Sequence, residues 1–135
     1  MAREALKKIV VFGGNGFVGS EVLKRLSAVP TVQAISVSRR GAAPSHCADF
    51  ADKVEWRAGD CLDKGTYADA LEGASAVVVS VGSPPLPGDV EAARKANGAT
   101  NVAVIEAAME AKVGRAVVVG ATMPPWLDKV AEGYA

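Results

Sequence analysis

The residue types that build metal centres, disulfide frameworks and membrane spans are nearly missing from these 135 residues. One histidine, His46, finds no set of neighbours able to hold a metal and reads as a loop residue. The two cysteines, Cys47 and Cys61, form no C-x-x-C pair and are too few for a disulfide scaffold. Reduced thiols and a reducing compartment are therefore expected. No apolar run approaches the ~20 residues needed to cross a bilayer, and Met1–Lys8 lacks the apolar stretch of a secretory signal. A soluble chain with no transmembrane segment is expected. Charge of one sign is missing too: 15 basic residues balance 15 acidic ones, so no global field draws the chain to nucleic acid or an anionic membrane. Aromatics make up only 5%, whereas half of the residues are hydrophobic and glycine occurs 14 times. Small and β-branched residues in that proportion suit a parallel sheet covered by helices. The length suits a single domain spanning 1–135, with a core but no substrate domain of its own.

The most informative segment is Lys8-Ile9-Val10-Val11-Phe12-Gly13-Gly14-Asn15-Gly16-Phe17-Val18-Gly19-Ser20. A short apolar strand runs into a glycine-rich turn and then into an amphipathic helix. Glycines allow a tight turn and close approach of a pyrophosphate, whose charge meets the free N–H groups and positive dipole end of the helix. Gly14, Gly16 and Gly19 satisfy G-x-G-x-x-G, while Gly13, Gly16 and Gly19 satisfy G-x-x-G-x-x-G. The P-loop fails, because Ser20-Glu21 stands where Lys-Ser/Thr is required. The turn predicts a dinucleotide site, a purely structural glycine turn being the alternative.

Strand-like and helix-like segments alternate along the rest. Strands are expected at 8–12, 34–38, 53–57, 76–81 and 116–120, with helices at 17–28 and 63–71 and a long one from Asp89 to about Lys112. In the first helix Val18, Val22, Leu23 and Leu26 share a face. In the long one Val102, Ile105, Ala108 and Met109 are expected inward. The stretch 39–52 has no period and reads as a loop or one short helical turn. This βαβ alternation predicts an α/β fold, a doubly wound parallel sheet of Rossmann type in order 3-2-1-4-5. It also leaves an apolar edge at Val117-Val118-Val119. Truncation after the fifth strand is expected, or a protein partner covering that edge.

The NAD version of this fold places a carboxylate about 20 residues past the glycines. Here the second strand ends Ser36-Val37-Ser38-Arg39-Arg40, without an acid. A hydroxyl and guanidinium groups at Ser38, Arg39 and Arg40 suit a 2′-phosphate and favour NADP(H), with NAD(H) the alternative. Two arginines merely solvated at a strand end are the plainer reading. Asp60 and Cys61 follow the third strand and are candidates to meet adenine; Val81, Gly82 and Ser83 follow the fourth and suit contact with ribose. Asp60 reads equally well as a turn acid, and Gly82 as an ordinary strand end.

Together these residues resemble the atypical or extended short-chain dehydrogenase/reductase family. Gly13-Gly14-Asn15-Gly16-Phe17-Val18-Gly19 is similar to its nucleotide motif, and Asn97-Gly98-Ala99-Thr100-Asn101-Val102 with Ile105-Glu106-Ala107-Ala108 to its fourth-helix pattern. Val37-Ser38-Arg39-Arg40-Gly41, Val54-Glu55-Trp56-Arg57-Ala58-Gly59-Asp60 and Gly73-Ala74-Ser75-Ala76-Val77-Val78 resemble an organellar subgroup of plant plastid proteins and fungal mitochondrial proteins associated with coenzyme Q synthesis. The complex I accessory subunit of this fold is a more distant relative. The resemblance implies a plastid or the mitochondrial matrix, and a catalytic Tyr-x-x-x-Lys pair. Tyr134 falls where the tyrosine would stand, its lysine lying four residues later, past Ala135. Thr122 falls near the family's helper hydroxyl. Two functions are open: an NADP-dependent oxidoreductase in its full-length form, or a non-catalytic NADP-binding accessory subunit.

Overall fold

A computed structural model describes residues 5–82 and 90–120. Five short runs rich in valine, isoleucine and alanine form a parallel sheet: β1 (Lys7–Phe12), β2 (Val32–Ser38), β3 (Val54–Ala58), β4 (Ala76–Val79) and β5 (Ala116–Val118). Their order is β3-β2-β1-β4-β5, as expected. β1 pairs with β2 through Val10 opposite Ile35 and Phe12 opposite Val37, and with β4 through Phe12 opposite Val79. The helices are α1 (Phe17–Ser27), α2 (Ala68–Leu71), α3 (Val90–Arg94) and α4 (Thr100–Glu110). No helix among the described residues is long and apolar enough to cross a membrane.

Each face of the sheet carries its own core, because successive strand side chains point to opposite sides. On one face Val10, Phe12, Ile35, Val37, Val77 and Val79 meet α2 and α4 through Leu71, Val104, Ala107 and Ala108. On the other, Val11, Ala34 and Val54 meet Leu23 of α1 together with Cys47 and Phe50. The loop 39–52 thus contributes core residues; two 3-10 turns, Ser45–Cys47 and Ala51–Lys53, put them there.

Several boundaries differ from the sequence pattern for local reasons. The helix expected over 63–71 is broken into a 3-10 turn, Lys64–Thr66, and the short α2. Thr66 Oγ1 donates to the Asp63 carbonyl at 2.7 Å and accepts the Asp60 N–H at 2.9 Å, which competes with helical pairing. The long helix is interrupted by a π-turn, Lys95–Ala99. There Thr100 Oγ1 donates to the Ala96 carbonyl and Asn101 Nδ2 to the Asn97 carbonyl, at 2.6 and 2.7 Å. Its inward face corrects part of the expectation: Ala108 is buried and Ile105 packs against the core as expected, with Val104 and Ala107 beside them, while Val102 and Met109 are 56% and 72% exposed. Periodicity allowed two adjacent stripes, and the one with the smaller residues lies against the sheet. At the start of α1, Val18 is likewise exposed.

Candidate functional site

Parallel pairing brings the ends of β1 to β4 to one edge, and the order reverses between β1 and β4. That crevice is where open α/β sheets hold ligands. The glycine turn occupies it. Gly13 N–H donates to the Val37 carbonyl at 3.2 Å, and Ser80 N–H donates to the Phe12 carbonyl at 2.9 Å, so the turn is seated between β2 and β4.

Its four glycines have different surroundings. Gly13 has φ +82°, and a Cβ there would strike the Ser80 carbonyl. At Gly14 a Cβ would meet Ser36 Oγ and come within 2.6 Å of Leu23 Cδ1. At Gly19 it would run into the Gly13 carbonyl, with Gly14 Cα only 3.0 Å away. Gly16 is the exception: at φ −79° its Cβ would meet only the Gly13 carbonyl oxygen, at 3.3 Å, and would otherwise enter open space. Gly16 is also the N-cap of α1, which has no side-chain cap and no acid in its first turn. The first amides of α1 are thus left to an anion, with room for it beside Gly16. A dinucleotide pyrophosphate fits this cradle. Phe17, at 89% exposed, and Val18 open that helix toward solvent.

Around the turn stand the other expected residues. Ser38 Oγ accepts the Gly41 N–H at 3.0 Å. Arg39 and Arg40 are exposed, and among the described residues neither pairs with an acid. Asn15 Nδ2 donates to the Ala42 carbonyl at 3.1 Å. Past β3, Asp60 Oδ1 accepts the Leu62 N–H at 3.0 Å and so serves a turn. Cys61 is half-buried, and burial first, then the Asp60 charge, pushes its thiol up; the Arg39 guanidinium acts the other way. Val81 and Gly82 follow β4 at the same edge. Ser83, Thr122 and Tyr134 lie outside the described residues.

Three neighbours of the site were not picked out from sequence as its parts. Ser36 packs under Gly14 with its Oγ buried and, among the described residues, without a hydrogen-bond partner. Asn97, in the π-turn, places Oδ1 within 2.7 Å of where a Gly82 Cβ would sit. The fourth-helix motif contained Asn97 and was the signal for it. Ala42, the acceptor for Asn15, has only a backbone role and leaves no trace in sequence. Beside the site, a cavity of about 220 Å³ opens between the β3–α2 connection and α4, lined in part by Cys61, Tyr67, Ala103 and Glu106.

A family model described as NAD(P)H-binding matches residues 13–129. An uncharacterized chloroplastic protein of Arabidopsis thaliana is 33% identical over 95% of this chain and 42% of its own length. MIOREX complex component 2 of Saccharomyces cerevisiae is 38% identical over 57% of this chain and 29% of its own length. The chain therefore spans less than half the length of these curated relatives. Among solved structures, the Bordetella bronchiseptica enzyme WbmG, in complex with NAD, matches with a TM-score of 0.71 at 19% identity, over 87% of this chain and 38% of that one. The glycine turn, the sheet order and the family match agree: the chain belongs to the NAD(P)H-binding family and is a nicotinamide-dinucleotide-binding domain with a Rossmann-like fold.

Proposed function

We propose that this domain takes NADP(H) in preference to NAD(H), and that it is the nucleotide-binding part of an oxidoreductase in its full-length form. The observation that carries the cofactor choice is the end of β2, where Arg39 and Arg40 stand exposed and form no ion pair among the described residues. A 2′-phosphate would gain charge-assisted hydrogen bonds there, whereas a ribose 2′-hydroxyl would find no carboxylate. The first amides of α1 would hold the pyrophosphate, Asp60 and Cys61 would flank adenine, and Val81, Gly82 and Ser83 would border the ribose. When bound, the nicotinamide supplies hydride transfer. Tyr134 and Thr122 are proposed as the proton-handling and helper groups, completed by a lysine further along the parent chain.

A second reading is a non-catalytic NADP-binding subunit of a larger assembly. The yeast relative favours it, since its name makes it a component of a complex. A chloroplastic relative supports an organellar setting.

The test is a pair of titrations with NADPH and NADH. NADPH is expected to bind about tenfold or more tightly, the scale of one or two charge-assisted hydrogen bonds. Arg39→Ala together with Arg40→Ala should bring the two affinities together. Equal affinities in the unaltered chain, untouched by that double change, would overturn the NADP assignment.

A further inference from the structure

The arginines that would read the 2′-phosphate sit on a loop, and a loop reads well only if something holds it. Three contacts do so. Ser38 Oγ accepts the Gly41 N–H at 3.0 Å. Gly41, at φ +71°, lies so close to β3 that a Cβ there would stand 2.6 Å from the Ala58 nitrogen. The third contact comes from the glycine turn itself: Asn15 Nδ2 donates to the Ala42 carbonyl at 3.1 Å, across 27 residues of chain. Oδ1 of that amide is buried and takes no donor among the described residues. The Ala42 bond is thus the one that fixes the Asn15 side chain among the described residues.

We propose that Asn15 is a positioning residue for cofactor discrimination. Its side chain ties the phosphate turn to the loop bearing Arg39 and Arg40, and it favours NADPH without itself touching the 2′-phosphate. The proposal rests on the assignment of those arginines to that phosphate. Its physical basis is pre-organisation. A guanidinium pair on a tethered loop keeps its place relative to the pyrophosphate, and less of the interaction is spent on ordering the loop when the ligand arrives. A single neutral hydrogen bond sets the scale, about a fivefold change in affinity.

Titrations of NADPH and NADH against Asn15→Ala, alone and combined with Arg39→Ala and Arg40→Ala, test it. Asn15→Ala is expected to cut the NADPH-over-NADH ratio about fivefold. In the background lacking both arginines the same change should leave the ratio where it stands, because the loop then carries nothing to position. Equal losses for both nucleotides, or a further drop in the ratio in that background, would overturn the role. Asn15→Ser, whose hydroxyl is too short to reach Ala42 but which suits a turn, gives the same readout should Asn15→Ala fold poorly. An unaltered chain without any preference for NADPH would instead remove the arginine assignment on which the role depends. The two failures therefore appear in different proteins, the unaltered chain and the variant.

Discussion

Gly13, Gly14 and Gly19 have no side chain because the protein leaves no room for one: the Ser80 carbonyl, Ser36 Oγ with Leu23, and the Gly13 carbonyl stand in the way. Gly16 faces open space, and its φ of −79° suits any residue. Fold and ligand therefore make separate demands within one turn. Gly19→Ala should cost about 1–3 kcal/mol of stability, the range for forcing atoms into a packed site. Gly16→Ala should change stability by less than about 1 kcal/mol, since a compatible Gly-to-Ala exchange is mildly favourable and the lost N-cap glycine mildly unfavourable. It should nevertheless weaken NADPH binding, and Gly16→Val should abolish it. Denaturation curves beside nucleotide titrations check the split. A Gly16→Ala protein as unstable as Gly19→Ala, or one that still binds NADPH as before, would show that the space beside Gly16 is not the ligand's.

Among the elements, the β3–α2 connection shows how a buried polar group is kept. Tyr67 is 1% exposed, its ring meets Phe12 edge-on with centroids 4.9 Å apart, and its hydroxyl donates to the Cys61 carbonyl at 2.8 Å. Burial, aided by negative charge at Cys61, Asp60, Asp63 and Glu110, pushes its pKa from 10.0 up to about 12. The folded state holds this proton more tightly than the unfolded chain. The contribution is accordingly whole below pH 10.0 and is lost as pH rises toward about 12. Tyr67→Phe should cost about 1 kcal/mol at neutral pH through the lost hydrogen bond. It should also flatten the alkaline fall in stability, measured by denaturation from pH 8 to 12. An unchanged alkaline slope would mean that another group drives it. This element also marks what sequence could tell. Strands were legible because valine and isoleucine in short runs permit little else, and the glycine turn because its spacing meets a strand and a helix at once. The break at Thr66 was not, since a hydroxyl bonding the backbone carries no period. The inward stripe of α4 was legible only in part: Ala108 and Ile105 do face the core, but Val104 and Ala107 gave no stronger signal than the exposed Val102 and Met109. At the site, Gly13 to Gly19 stood out from residue type alone, whereas the Asn15–Ala42 bond depends on a backbone carbonyl and had no letter to announce it.

For the whole molecule, β5 is the most exposed of the described strands, with Val117 and Val118 about half exposed. A nucleotide that spans the switch point should stabilise the folded sheet. At a hundredfold excess over Kd a ligand adds about 2.7 kcal/mol, a rise in Tm on the order of 10 °C for a chain of this size. NADPH should give the larger rise in a thermal melt and NADH the smaller. Equal rises would argue against discrimination at β2. A large rise without turnover of NADPH by the full-length protein, with any carbonyl acceptor, would favour the accessory-subunit reading over the oxidoreductase.

One oxygen in the turn has a consequence for timing. The Gly13 carbonyl accepts the Gly16 N–H at 3.0 Å and also backs directly onto Gly19. The cradle is closed upon itself by the chain's own atoms. NADPH capture should then be a single encounter, its observed rate rising in proportion to nucleotide concentration, and a rate that levels off would show a slow rearrangement behind it. The difference between NADPH and NADH should lie in how long each one stays.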